Sequence, residues 1–596
     1  MLNILINSVN QGKVFLNITK LKMSTISNSK EPLILSIDVG TTSTRTMLFS
    51  KTSNIINKTQ IHYNKFENSD SKSTNLELCG ETDINNNIIS CLDMLLKDLD
   101  HEKYQVVSVG IANMRESLIT WDPLTLKPLS KCILWNDTRN KETITQMRKT
   151  LSSEDLMYFR NKTGFNNLST YFSAGKLKWL LENDLKCFET SQKSINVGTV
   201  DSWILSNFTE ENAFKSDITN ACRTGIFNGV TSKNDVNLMN IWKIPHQIFK
   251  LNFPEIVSSS EFYGNFNIPN NHSDSAQRDR IMKWLRKVPI QGCLGDQSAS
   301  LVGHLKFNPS ETKMTYGTGC FILSNTGTVP KYDNNSENKL LNTVAYHFPY
   351  LDEGKITYAL EGTIGQCGFL IQWLMKNINL VNDLDSLTKV FYEYNKKRDL
   401  FNDDIVFVPA LTGLYSPYWD ENSRGTIFGI DAKTEKKDLI IACMKGLCLQ
   451  VAVILKEMSG LEITENIKNS EKTLISIDGG LSQNHEFLNL QAQFLDGRKY
   501  QLERNLNHEA TSFGAAIAAA FGTKDVNDRK MWKDISDLKE HVNKNKENIL
   551  INNPKLEDYL YDCNNNIEYL NNQYTRWDLA IKRSSLWLFE DMKSKL

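Results

Sequence analysis

Residues 33–50 read Leu33-Ile34-Leu35-Ser36-Ile37-Asp38-Val39-Gly40-Thr41-Thr42-Ser43-Thr44-Arg45-Thr46-Met47-Leu48-Phe49-Ser50. Two apolar runs enclose an Asp-Val-Gly-Thr-Thr-Ser segment, and that pattern predicts a β-hairpin. Gly40 allows the backbone to come close to an anion. The hydroxyls of Thr41, Thr42 and Ser43, together with backbone N–H groups, can then donate to phosphate oxygens. Arg45 offers a charge-assisted contact to a transferred phosphoryl group. Asp38 suits Mg²⁺ held through water, because that ion keeps much of its hydration shell. The string G-x-x-x-x-G-K-[ST] occurs nowhere in the chain, so the phosphate site is not of the P-loop kind.

Outward from the hairpin, two more glycine turns follow apolar runs: Gly317-Thr318-Gly319-Cys320-Phe321, and Asp478-Gly479-Gly480-Leu481-Ser482-Gln483-Asn484. Any one of them reads equally well as an ordinary tight turn. The three in this order are far more specific. Buried strands are expected at 106–112, 118–121, 313–323, 405–408 and 474–478. Helices are expected within 141–185 and at 366–375, 439–458, 485–495 and 512–520. This alternation in both halves predicts α/β domains. Residues 53–73 read as a polar loop or a ragged strand, and residues 270–280 as a surface loop. Residues 541–575 read as an exposed Asn/Lys-rich segment, followed by an amphipathic final helix over 576–596.

The chain has 596 residues, too many for one compact core. Its formal net charge of −1 gives no electrostatic reason to expect nucleic acid or an anionic membrane as partner. The 11 cysteines are scattered, with no C-x-x-C, as expected of reduced core thiols. No uninterrupted apolar run reaches the ~18 residues of a membrane span, so no transmembrane segment is expected. Residues 1–30 carry Lys13, Lys20, Lys22 and Lys30 and no acid. They are expected to be disordered, with cytoplasmic location or mitochondrial association both open and Met23 a candidate start.

Further candidates sit at strand ends. Arg115-Glu116 supplies a donor beside an acceptor, which is what vicinal hydroxyls require, although an ordinary surface ion pair reads as well. Trp135 and Tyr171 read by themselves as core aromatics. Asp296-Gln297 follows a glycine, Gly295, at the end of an apolar run.

Together these motifs resemble the FGGY carbohydrate kinases, and within them the branch that phosphorylates glycerol, most of all its fungal members. The resemblance covers about 33–522, with an echo at 576–587. It implies a two-domain actin/hexokinase-like (ribonuclease H-like) α/β fold with an interdomain cleft. The domains are expected at 31–305 and 306–525, with an extension over 526–596. It implies ATP and Mg²⁺ as cofactors, with Thr41, Thr42, Ser43, Arg45, Thr318, Gly368, Gln372, Gly480 and Asn484 at the nucleotide. Arg115, Glu116, Trp135, Tyr171, Asp296, Gln297 and Phe321 would meet the polyol. Asp296 would be the catalytic base, and Asp38 and Asp296 would face the metal. A pentulose or dihydroxyacetone kinase of the same family and a non-catalytic regulator are the alternatives; a homodimer or tetramer is expected. Ile441 and Lys445 depart from the family pattern, which has a basic and an acidic or amide residue there. The glycine-rich loop with which bacterial members bind a sugar bisphosphate inhibitor has no match in 270–286.

Overall fold

The structure is a computed structural model. It describes residues 30–63, 76–184, 194–245, 250–269, 271–330, 339–460, 473–497, 499–504, 509–543, 549–550, 563–585 and 587. The 33–50 hairpin forms as expected: Glu31–Val39 and Ser43–Phe49 pair antiparallel, with Asp38 opposite Arg45. These strands lie inside a six-stranded sheet of order Ser260–Asn265, Pro289–Gly295, Tyr104–Asn113, Glu31–Val39, Ser43–Phe49, Ile55–His62. Glu31–Val39 is parallel to Tyr104–Asn113, which is parallel to Pro289–Gly295. Strands buried on both faces read as continuous apolar runs, and Leu33, Ile34, Leu35 and Ile37 are fully buried.

The second half repeats this plan. Thr312–Tyr316 and Cys320–Gly327 form a hairpin around the Gly317–Gly319 turn, and Ile356–Ile364 adds antiparallel to it. Thr473–Asp478 and Tyr500–Arg504 add in parallel on the other side. In both sheets a three-strand antiparallel meander is extended by two parallel strands. The two-domain α/β actin/hexokinase-like architecture is therefore present.

The halves are joined by two helices. Asp296–Gly303 leaves the last parallel strand of the first sheet, and Ala510–Ala520 packs against the first sheet although it follows the strands of the second. They cross at Gly303 and Gly514. A Cβ on Gly514 would lie 1.8 Å from the carbonyl oxygen of Ala299, and one on Gly303 would lie 1.9 Å from that of Ala510. Only glycine permits backbones this close. As a result, Ala515, Ala516, Ile517 and Ala518 belong to the first hydrophobic core, together with Trp532 and Leu538.

Of the two readings of 53–73, the strand is the one present: Ile55–His62 is a third strand, half-exposed because it forms the sheet edge; residues 64–75 lie outside the described residues. Other expectations are corrected. The expected 270–280 loop gives way to a helix, Ser275–Leu285, capped by Asp274, whose side chain accepts from the Gln277 N–H. The final helix begins earlier than expected, spanning Cys563–Ser584, and buries Leu570, Trp577, Ala580 and Ile581 in the second core. Its expected continuation over 588–596 lies outside the described residues, as do residues 1–29.

Among the described residues one helix, Lys436–Ser459, has the length and mean hydropathy (2.0) of a membrane span, although Lys445 interrupts its apolar run. That window is 89% buried inside the protein, so the helix is placed as a core helix. Lys445, the departure from the family pattern, is buried within it. Its Nζ donates to Asp403 Oδ1 at 2.5 Å and to the Asp403 carbonyl at 2.9 Å. The buried ammonium at Lys445 is thus satisfied by Asp403, while Ile441 is simply part of the apolar face. The nine described cysteines are free, eight of them buried.

Candidate active site

The strand Tyr104–Asn113 ends beside the hairpin turn and delivers Arg115 and Glu116 into the interior. Both are 2% exposed and they are not paired with each other as a surface couple would be. Arg115 Nη1 and Nη2 donate to Glu361 Oε2 and Oε1 at 2.7 and 3.0 Å, and its Nε lies 3.4 Å from Asp296 Oδ1. Glu116 Oε1 accepts from Arg223 Nε at 2.5 Å, and Arg223 Nη2 reaches Glu361 Oε1 at 3.1 Å. Four fully buried ions therefore neutralise one another, and the set bridges the halves, because Glu361 lies on the second sheet. Burial would push Glu361 up, but Arg115 and Arg223 override it and hold the carboxyl at about 2. Glu116 moves the opposite way, raised by burial more than Arg223 and Arg115 lower it.

Trp135 links this set to the phosphate turn, since its Nε1 donates to Thr41 Oγ1 at 2.9 Å. Its ring meets Tyr171 edge-on at 5.8 Å and Phe321 at 5.6 Å between centroids. Tyr171 also touches Tyr415 at 5.9 Å and lies under the Arg223 guanidinium at 5.5 Å. The three aromatics expected at the polyol thus form one wall. They bring residues from three distant segments together.

Asp296 opens its helix immediately after Gly295. A Cβ on Gly295 would sit 2.4 Å from Cδ of Arg115, so glycine is needed for the arginine stem to pass. The Asp296 side chain is 27% exposed, and Oδ1 accepts from the Gln297 N–H at 2.8 Å. Burial raises its pKa, while Arg115 and Lys313 pull it back. Such a carboxylate is partly open and holds a proton more tightly than a free one, which suits a group that takes a proton.

Asp38 is 5% exposed and pushed up to about 6 by burial; Arg45 lowers it, and the charges of Asp296 and Glu509 raise it. Arg45 Nη1 sits 3.7 Å from Asp38 Oδ2 and 3.4 Å from Glu509 Oε2. No group of three or more metal-ligating side chains occurs among the described residues. The sparse donor set, with Asp296 repelling Asp38, nevertheless fits a cation that keeps its waters and shares phosphate oxygens.

At the second hairpin, Gly368 N donates to the Gly317 carbonyl at 3.0 Å and Cys367 N to that of Thr318 at 2.8 Å, so the Thr318 turn and the start of helix Gly368–Gln372 are joined. Gly480 has open space around it. Asn484 caps helix His485–Gln493 by accepting from Phe487 N at 3.0 Å, and its amide donates to Thr388 Oγ1 at 2.7 Å. Asp478, held at about 2 against burial by His304 above all, accepts from Ser300 Oγ at 3.0 Å. The helix carrying Asp296 therefore reaches the third glycine turn.

Arg223, Glu361, Tyr415 and Lys313 were not picked out from the sequence. Arg223 sits in the turn after helix Ile218–Ala221 and Glu361 inside a strand, neither in one of the three glycine turns, and only their mutual contact marks them.

Family comparison agrees with this geometry. Residues 33–303 match the FGGY family of carbohydrate kinases, N-terminal domain, and 312–523 match its C-terminal domain. The chain belongs to the FGGY family of carbohydrate kinases. Glycerol kinase of Saccharomyces cerevisiae is 36% identical over 548 residues, covering 84% of this chain and 75% of that one. Glycerol kinase of Mycoplasmoides gallisepticum is 32% identical over 571 residues, covering 95% and 100%. Among solved structures, Plasmodium falciparum glycerol kinase with ADP aligns with a TM-score of 0.71 at 27% identity, covering 94% of this chain and 99% of that one. Xylulose kinase of Lactobacillus acidophilus aligns at 0.70 and 18% identity, a likeness of fold alone.

Proposed function

We propose that this FGGY kinase transfers the γ-phosphoryl group of ATP to a primary hydroxyl of glycerol, releasing ADP and glycerol 3-phosphate. The observation that carries the reading is the convergence of Arg115, Glu116 and Asp296 against the Trp135–Tyr171–Phe321 wall. A three-carbon polyol needs donors and acceptors for adjacent hydroxyls and an apolar face for its carbons. The Arg115 guanidinium has N–H groups beyond those given to Glu361, and Glu116 Oε2 is left to accept. Asp296 takes the hydroxyl proton as the new O–P bond forms and the bond to the ADP oxygen breaks. The Thr41–Ser43 and Thr318 turns hold the phosphates, Arg45 moves from its carboxylate partners to the phosphoryl oxygens, and Gly368, Gln372, Gly480 and Asn484 border the adenosine. Such transfer depends mainly on positioning and charge stabilisation. Mg²⁺ facing Asp38 and Asp296 would neutralise phosphate charge.

The glycerol kinase relatives support glycerol over a pentulose. The 36% identity to the yeast enzyme, against 32–34% for the bacterial ones, supports a fungal-type member. We place the enzyme in the cytoplasm as a homodimer or tetramer, with domains at 31–305 and 306–525. Mitochondrial association through residues 1–30 is the alternative, separable by fractionation of cells expressing the chain with and without them.

The test is coupled ADP release with Mg·ATP over glycerol, dihydroxyacetone, erythritol, xylulose and ribulose. Glycerol-dependent turnover is expected, falling ~10²–10⁴-fold in Asp296→Asn. Preference for a pentulose overturns the substrate, and undiminished turnover in the variant overturns the base.

A further inference from the structure

Lys313 is a fully buried ammonium in the middle of the site, with no place in the mechanism above. It lies on strand Thr312–Tyr316 of the second sheet, and its Nζ crosses to the helix carrying Asp296, where it meets Gln297 Oε1 at 2.5 Å. A second donation goes to Thr315 Oγ1 at 2.9 Å, two residues along the same strand face. Thr315 is in register with both Phe321 of the aromatic wall and Asp478 of the third glycine turn. The ammonium is thus anchored from below and points at one side-chain amide.

The chemistry of that contact is one-sided. An ammonium has three donors and no acceptor, so it can engage only the oxygen of a carboxamide. The planar amide then has no freedom left: with its oxygen fixed on Lys313, its NH₂ group must face the other way. Gln297 Nε2 meets no acceptor among the described residues, and it is not among the sealed interior atoms that lack a partner. Gln297 keeps 6% exposure, and the carboxylate of its chain neighbour Asp296 is 27% exposed.

We infer that Lys313 is a positioning residue: it holds the Gln297 amide with its oxygen inward and its NH₂ toward the cleft, making Gln297 a hydrogen-bond donor to a polyol oxygen beside Asp296. The inference rests on the reading of this cleft as the polyol site. It divides the labour between adjacent residues, Asp296 accepting at the reacting hydroxyl and Gln297 donating alongside it. Without Lys313 the amide turns freely, and a substrate oxygen meets the amide oxygen as often as the NH₂.

The test is a double-mutant cycle on glycerol KM with Lys313→Met, Gln297→Ala and the double variant, each checked for folding by thermal melting. Methionine keeps the straight apolar stem and removes the donor. Gln297→Ala is expected to raise glycerol KM about tenfold, the worth of one hydrogen bond to substrate, and Lys313→Met about twofold, because a freely turning amide presents its NH₂ half the time. ATP KM should stay at the wild-type value, kcat is compared at the plateau of each pH profile because Lys313 also lowers the Asp296 pKa, and the double variant should match Gln297→Ala alone. A wild-type glycerol KM in Lys313→Met overturns the inference. So does a double variant whose KM is the product of the two single effects, or a Lys313→Met whose loss lies in plateau kcat, since those mark a general disturbance of the Asp296 helix.

Gln297→Glu is the second variant and leaves Lys313 in place. It keeps the shape and still accepts from Lys313, but it turns an oxygen to the cleft in place of the NH₂. A glycerol KM raised tenfold or more supports the donor role, and an unchanged KM overturns it. If the wild type uses a pentulose and not glycerol, the substrate reading fails while the same cycle, run with the pentulose, still decides the Lys313 device. Absence of turnover with every polyol removes both.

Discussion

Arg115 and Glu361 share a two-pronged ion pair, Nη1 to Oε2 at 2.7 Å and Nη2 to Oε1 at 3.0 Å, that joins the end of a first-sheet strand to the middle of a second-sheet strand. The same carboxylate receives Arg223, so one anion carries much of the compensation for two buried cations.

Replacing it by the isosteric amide removes that compensation. Glu361→Gln leaves two guanidiniums in the interior with Glu116 beside Arg223 and Asp296 3.4 Å from Arg115 Nε as their remaining close carboxylates, and the expected loss is about 3–5 kcal/mol. Denaturant unfolding of the two proteins measures it. A loss under about 1 kcal/mol would show that the quartet is not the interdomain tie described here.

Asp38 predicts a pH dependence of the opposite sign from a paired carboxylate. Its folded pKa of about 6 lies above the ordinary value of 3.8, so the folded state holds the proton more tightly than the unfolded chain does. The ionised form therefore destabilises the ligand-free protein above about pH 6, an effect that grows in between about pH 4 and 6. Asp38→Asn is expected to stabilise the ligand-free enzyme by about 2–3 kcal/mol at pH 7.5 and by almost nothing at pH 4. Its Mg·ATP binding should be weaker than wild type at pH 7.5 and nearly insensitive to pH around 6. Equal stability of the two proteins at both pH values would contradict the raised pKa.

The helix crossing has no slack. Gly514→Ala places a methyl group 1.8 Å from a backbone carbonyl that cannot step aside, and Gly303→Ala repeats the clash at 1.9 Å. Each should lower stability by about 1–3 kcal/mol or more, and kcat with it, because the Asp296 helix is one of the pair. Gly497→Ala, with open space around it, is the control expected within about 0.5 kcal/mol of wild type. Thermal melts and ADP release read both quantities.

Lys445 and Asp403 should behave as a unit. Lys445→Met strands the Asp403 carboxylate, 21% exposed, with the Tyr394 hydroxyl as its closest remaining donor at 2.7 Å. The expected loss is about 3 kcal/mol, toward the lower end for a broken buried pair because Asp403 keeps some water. Adding Asp403→Asn should recover most of it, and additive losses would show the two residues to be independent.

The glycine turns, the flanking strands and the family could all be recognised in the linear sequence, because each is a local pattern: an apolar run, a turn residue, a hydroxyl cluster. The polyol candidates Arg115, Glu116, Trp135, Tyr171, Asp296, Gln297 and Phe321 rested as a set on the family resemblance, since Trp135 and Tyr171 by themselves read as core. Sequence reading was weakest where local pattern is weak. Ile55–His62 is polar because it is a sheet edge and reads as loop or strand alike, Ser275–Leu285 is announced only by its cap, and Cys563–Ser584 hides its apolar stripe among asparagines.

The sequence by itself determined that this chain would form two α/β halves with phosphate-binding turns, since hydrophobic periodicity and glycine placement act over a few residues. Tertiary structure alone decided that Ala510–Ala520 would join the first core, that Arg115 and Glu116 would be satisfied by Glu361 and Arg223 instead of each other, and that Lys313 would face Gln297. Those outcomes depend on which buried groups and backbones meet in space, across 16 residues of chain for Lys313 and Gln297 and more than a hundred for the two ion pairs. The penalty for leaving an ion unpaired in the interior selects the partner, and no local pattern records it.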